Sequence, residues 1–361
     1  MSDTRAAGRM VALTREAKAW TQARLAKAAG VSQGFLSKVE HGVLPLEGER
    51  LAHVAMALEA PPELLSSSEP VRGLEVTCLH HRRRASRMTV GTTRRIEGLT
   101  HLTRLSVEGL STGLSVAPDL TLHHLDVDEH GSPEAIARLL RIAWRVPTGP
   151  VADVTKLLET LGVAIVRRDL HTEAQDAVST WPPGHAPVVL INRGLSADRE
   201  RFTLVHELGH LVMHTLPNDD QEGQANRFAG EFLAPADEVR PQLEGLTVRQ
   251  FSKLAELKQI WGMSMAALIR RALDLECISA NQFKSFRIRL NQYGWSEREP
   301  GNLPAETPQL VSSMVASQMT KHDHDIEQVA TLALMLQEPF RRHYLADVPP
   351  STSTHTRKAQ P

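Results

Sequence analysis

Between Arg201 and Pro235 the sequence reads RFTLVHELGHLVMHTLPNDDQEGQANRFAGEFLAP, and His206-Glu207-Leu208-Gly209-His210 within it form an H-E-x-x-H motif. Residues four apart lie on one helical face at neighbouring turns, so the imidazoles of His206 and His210 converge on one metal ion. Two imidazoles beside an open position suit zinc. Glu207 points toward that position, where it can take a proton from a metal-bound water and hand it to a leaving amine. This is peptide hydrolysis chemistry. Surface helices carry such a match by chance, with both histidines solvated, but here Phe202, Leu204, Val205, Leu208, Leu211 and Val212 make the helix largely apolar. A glutamate between two histidines on a buried helix is costly unless paired or metal-bound.

A catalytic zinc takes three protein ligands. His214 follows one turn after His210, but it lies roughly 12 Å along the axis from His206 at about 1.5 Å rise per residue. Three successive turns do not close easily on one ion, so His214 reads as a core or rim histidine. After Pro217, the residues Asn218, Asp219 and Asp220 start a second helix with Ala225, Phe228, Ala229, Phe232 and Leu233 on its apolar face. Glu222, at the edge of that face, is best placed to lean over the first helix as the third ligand. Asn226, one turn later, is a candidate partner behind the metal ligands.

The chain around these residues is 361 long, room for two or three domains. Its 41 basic and 42 acidic residues favour no class of partner through net charge. Cys78 and Cys277 are too far apart for a disulfide framework or a metal-binding cysteine spacing, which fits a reducing cytoplasm. No signal-peptide core opens the chain and no apolar run is long enough to span a bilayer, so the expectation is a cytoplasmic protein with no membrane partner.

Residues 9–65 read as short helices with tight breaks. Thr21 starts one that Gly30 ends; Ser32 caps the next, SQGFLSKVEHG, with Phe35, Leu36 and Val39 facing inward and Gln33, Gly34, Ser37 and Lys38 facing out. Two short helices about a glycine turn, the second with a polar face, are what a helix-turn-helix brings to double-stranded DNA. Gln reads adenine bidentately, and Lys reaches guanine or phosphate. Residues 1–65 hold eight Lys plus Arg against seven Asp plus Glu, a weak basic signal, and the plainer reading is a helical bundle that binds protein.

TQxxLAxxAGVSQxxLSKVExG resembles the lambda-repressor-like, Cro/Xre-type family, and LxxVAxALEAPPELL matches its closing helices. The resemblance implies that Gln22 caps its helix or contacts phosphate, while Gln33, Gly34 and Lys38 sit toward base edges. Gly34 departs from it by offering no side chain. RFTLVHELGHLVMH followed by ExxANRFAxEFLxP is similar to the ImmA/IrrE family of zinc metallopeptidase domains. The agreement extends to Trp144, Gly149-Pro150, Asp176 to Val178, Asn192, Ser264 to Arg271 and Gly294-Trp295; Ala234 departs where relatives usually have Met. That resemblance implies a Glu ligand at Glu222 and a peptidase that cuts a transcriptional repressor.

Ser66 to Pro70 marks a boundary, and His80 to Arg104 then carries seven arginines (82, 83, 84, 87, 94, 95 and 104) against Glu97 alone. The run reads as a solvated helix face more than as extra phosphate contact. His123, His124 and His130 fall in a loop without metal spacing. Ser132-Pro133 opens a helix through Trp144, and Gly149-Pro150 opens another ending at Gly162. Three short strands follow, 163–168, 177–181 and 188–192, with the last expected to wall a peptide cleft. Arg201 and His185 are more readily salt-bridged or exposed than aimed at a scissile carbonyl. The helices 248–261 and 265–275 again resemble a helix-turn-helix, with packing the better reading.

The expected fold is α+β and mainly helical: a DNA-binding domain at 1–68, a basic linker and helix at 69–130, a zincin-like peptidase domain at 131–300, two C-terminal helices within 301–347 and a disordered tail at 348–361. The expected function is a DNA-binding transcriptional regulator with a zinc endopeptidase, homodimeric on paired half-sites. The alternatives are a transcription factor whose peptidase-like domain senses a ligand or metal, and an antitoxin-like module that binds a neighbouring gene product.

Overall fold

The computed structural model describes residues 2–67, 88–114, 118–216, 218–296 and 298–345. Part of the expected boundary (68–70), Cys78, the arginines at 82, 83, 84 and 87, and the tail 348–361 lie outside the described residues.

The N-terminal bundle comprises α1 (Ser2–Ala17), α2 (Gln22–Ala28), α3 (Gln33–Glu40), α4 (Gly48–Leu58) and α5 (Pro62–Leu65). Thr21 Oγ1 accepts from Arg24 N and Ser32 Oγ from Phe35 N, so each hydroxyl satisfies an amide that its helix cannot. Gly30, at φ +66°, makes the turn between α2 and α3. Met10, Leu25, Leu36, Val54, Leu58 and Leu65 form the bundle core. A buried Arg15–Glu40 ion pair, 2.6 Å at the closest atoms, ties α1 to α3.

The next described element, α6 (Val90–Ser111), is shared between two cores. Leu105 joins the core of the bundle, whereas Ile96, Val107 and Leu110 join a core behind the sheet. Gly98 permits this: a Cβ there would stand 2.8 Å from Leu13 O, so only glycine lets α1 lie this close.

Then come α7 (Val127–His130), α8 (Pro133–Ala143) and α9 (Val154–Thr160). The helix expected from Gly149 begins instead after Asp153, whose side chain caps it. Gly149 sits at φ +88°, and Arg141 donates to its carbonyl and to that of Pro147. Strands β1 (Ala164–Arg168), β2 (Ala177–Thr180) and β3 (Val188–Asn192) form a sheet of order β1-β3-β2, with β3 parallel to β1 and antiparallel to β2. Side chains alternate across it: Ile165, Ala177, Val189 and Ile191 enter the main helical core, and Ala164, Val166, Val178, Val188 and Leu190 the rear core.

On the front face lie α10 (Ala197–Met213), which carries H-E-x-x-H, and α11 (Gln221–Leu233). Gly209 sets their spacing, since a Cβ there would meet the Phe228 ring at 3.0 Å. Below them are α12 (Ala236–Leu243), α13 (Phe251–Trp261), α14 (Met265–Asp274) and α15 (Ala280–Gln292). Among the described residues the C-terminal region holds three helices rather than two, α16 (Leu310–Lys321), α17 (Ile326–Leu332) and α18 (Gln337–Phe340), then a π-turn at Arg341–Leu345. Val311, Met314, Val329 and Phe340 close the rear core with α6. Among the described residues no helix is long and apolar enough to cross a membrane.

Candidate metal centre and nucleic-acid interface

The helical period brings His206 and His210 together, and α11 adds Glu222. His206 Nε2 and His210 Nε2 are 3.1 Å apart, and the Glu222 carboxylate lies 3.6 Å from the first and 3.3 Å from the second. Two donors about 2.1 Å from a tetrahedral ion must themselves stand about 3.4 Å apart, so the three fit one ion. The two histidines are buried and Glu222 is half-buried, and Glu222 Oε1 makes no hydrogen bond among the described residues. Burial works against the Glu222 charge; when His206 and His210 carry protons toward it they outweigh burial and hold the carboxyl well below the usual carboxylate range.

The outer nitrogens decide the tautomers. His206 Nδ1 lies 3.1 Å from Asn226 Oδ1, an acceptor, so the ring proton belongs on Nδ1 and the Nε2 lone pair faces Glu222. His210 Nδ1 is 2.9 Å from His214 Nδ1, and His214 Nε2 is 2.8 Å from Gln224 Oε1. This chain closes one way: His214 donates to Gln224 from Nε2 and accepts from His210 at Nδ1, leaving His210 Nε2 unprotonated as well. His214 must be neutral for this, and burial, with His210 next in importance, pushes its pKa down to about 4. Two lone pairs then face each other across 3.1 Å, an arrangement that a cation between them relieves.

Glu207 is buried, and Ser179 Oγ donates to its Oε2 at 2.6 Å. The strand order gives the reason: Ser179 shares a face with Ala177, which packs toward α10. A cavity of about 110 Å³ beside His210 is lined by His124, Ser179, Thr180, Trp181 and Thr215. The strand that lines this cavity is β2, which stands at the end of the sheet order. The expected wall, β3, is the central strand and is hydrogen-bonded on both sides. The His124 ring lies 4.3 Å from that of Trp181.

In the N-terminal bundle, Ser32, Gln33, Gly34 and Lys38 are exposed on α3 and Ser37 is half-buried. A Cβ on Gly34 would meet nothing within 4 Å, so the fold does not require glycine there. Gln22 does not cap α2. Thr21 does, and Gln22 Nε2 donates to Glu40 Oε2 at 2.8 Å, bracing the Arg15–Glu40 pair.

The helix-turn-helix family model matches residues 11–65, and the model described as the IrrE N-terminal-like domain matches residues 158–273. The chain fuses a Cro/Xre-type helix-turn-helix domain to an ImmA/IrrE-family domain. No curated protein matches it. The matched span of the ImmA/IrrE domain begins in α9 and ends in α14, and it holds His206, Glu207, His210, Ser179 and Glu222.

Other candidates in the ImmA/IrrE domain serve its packing. Arg201 is buried, pairs with Glu306 and donates to Gly262 O, and His185 pairs with Glu108 at 2.8 Å. Arg271 of α14 pairs with buried Glu231 of α11, and Lys258 of α13 with Asp198 at the start of α10. The second helix-turn-helix-like pair thus anchors the two helices of the candidate metal centre. The roles of Ser179, His214, Gln224 and His124 were missed in the sequence. Only His214 carried a signal, its position one turn beyond His210.

Proposed function

We propose that this protein is a DNA-binding transcriptional regulator with a zinc-dependent endopeptidase, in which His206, His210 and Glu222 hold the metal and Glu207 is the general base. The convergence of three donors beside a buried glutamate carries the reading. Zinc held there would act as a Lewis acid, lowering the pKa of water and polarising a carbonyl. Asn226 and His214 orient the two imidazoles. Ser179 holds the Glu207 carboxylate in place, and Glu207 takes a proton from the attacking water and passes it to the leaving amine. The β2 wall with Trp181 and His124 would position an extended peptide, and the resemblance to ImmA/IrrE suggests a transcriptional repressor as the protein cut. Gln33, Ser37 and Lys38 would face the major groove of double-stranded DNA beside Ser32 and Gly34, with Gln22 close to the backbone and two copies on paired half-sites.

The test compares protein N-termini in host cells that express either the wild-type chain or Glu207→Gln. New N-termini confined to the wild type support the peptidase; identical profiles overturn it. A second reading, a transcription factor whose peptidase-like domain senses a ligand or metal without cutting, draws support from Leu105 of α6, which runs the bundle core into the rest of the molecule. It predicts the identical profiles.

A further inference from the structure

A second cavity, about 540 Å³, shares no lining residue with the metal centre. One wall is the helix-turn-helix bundle, with Ala17, Leu58 and Leu64. The other is α6, the end of β1 and the C-terminal segment, with Leu99, Arg168 and Leu336. The volume suits a small molecule.

Its charge is one-sided. Two acids line it, Glu59 and Asp169, and each has a partner: Lys18 at 2.8 Å and His171 at 3.2 Å. Four arginines also line it, Arg168 buried, Arg95 half-buried and Arg193 and Arg342 exposed; among the described residues none has a carboxylate within ion-pair distance, although Asp169 attracts Arg95 and Glu59 attracts Arg342 from farther off. Arg168 is only 6% exposed; its guanidinium lies 4.8 Å from the centre of the Tyr344 ring and donates to the His343 carbonyl at 3.3 Å. Arg95 Nε is buried and meets no acceptor. His343 registers the same field: burial first, then Arg168, Arg193 and Arg342, push its pKa down to about 4. Arg168 is thus a buried guanidinium without a counter-charge, which is costly unless an anion completes it. Guanidinium forks match phosphate oxygens in pairs, and several of them suit a dianion better than a monoanion.

We propose that this cavity binds a small phosphate monoester with an apolar body, its phosphate among Arg95, Arg168 and Arg193 and its body against Leu58, Leu64 and Leu99. Because both walls contribute, the occupant is held by the DNA-binding bundle and by the body of the protein at once.

Hexyl phosphate, inorganic phosphate and hexylamine are titrated calorimetrically into the full chain and into the Arg95→Gln/Arg193→Gln variant. These two arginines are chosen because neither is fully buried, and thermal unfolding of the variant without ligand checks that it folds. Hexyl phosphate should bind the wild type at least tenfold more tightly than inorganic phosphate, hexylamine should not bind, and the variant should lose at least tenfold in affinity for hexyl phosphate. The proposal is overturned by no binding of hexyl phosphate, by hexylamine binding equally well, by inorganic phosphate binding as tightly, or by a folded variant with wild-type affinity.

Discussion

His214 Nδ1 stands 2.9 Å from His210 Nδ1, and that contact fixes which nitrogen of His210 is free to bind a metal. It makes His214 a positioning residue whose own proton is set by Gln224. Partners of this kind are typically worth about 10–100-fold in metal affinity. Zinc affinity, measured by competition with a chelator, should therefore fall by roughly tenfold or more in His214→Phe, and Gln224→Leu should weaken it in the same direction. Unchanged affinity in both would mean that the ring chain has no part in binding.

Gly98 allows α1 to lie against α6, and a Cβ there would meet backbone at Leu13 O. Gly98→Val should cost about 1–3 kcal/mol in urea unfolding, because neither backbone can yield without parting the two helices. A variant as stable as wild type would show that the contact is loose.

His343 supplies a pH dependence. An unfolded imidazole titrates near its ordinary value of about 6.5, whereas burial and the three neighbouring arginines bring His343 down to about 4 in the fold. Between these values the unfolded chain binds more protons, so this contribution is fully present above the unfolded pKa and is lost as pH falls through the folded one. Urea midpoints between about pH 7 and about pH 4.5 should fall less steeply in His343→Gln than in wild type. Parallel slopes would contradict the assignment.

On the DNA side, Gln33 and Lys38 are exposed on α3. Once an operator has been selected, Gln33→Ala should cost about 1–3 kcal/mol and relax preference at one base pair. Lys38→Ala should weaken binding, and if its contact is to phosphate it should also reduce the salt slope. Gly34→Ala, with open space around its Cβ, should leave the fold unchanged. An unchanged affinity and base preference in Gln33→Ala would place readout elsewhere.

The parts of this molecule that were legible in the sequence are those fixed by local periodicity. Helical spacing paired His206 with His210 and singled out Glu222 and Asn226 on the next helix, without saying which imidazole Asn226 would meet, and short β-branched runs located the three strands described. Strand order was not legible. The pairing of β1 with β3 is a long-range choice that three short apolar runs do not encode, so the cleft wall was assigned to the central strand. Ser179 went unread for the same reason, since its face depends on that pairing. Gly149 reads as a helix start because Pro follows it, yet Arg141 claims its carbonyl and Asp153 caps the helix instead. The role of α6 rests on Gly98 and Leu105, single positions in and just after a stretch read for its arginines.

The most direct measurement is the metal content of the purified full chain, after zinc is supplied, beside Glu222→Gln and Glu207→Gln. The account predicts about one zinc per chain in the wild type and in Glu207→Gln, and its loss in Glu222→Gln, because three protein ligands close the site and Glu207 is not among them. No zinc in the wild type, or full retention in Glu222→Gln, would contradict it.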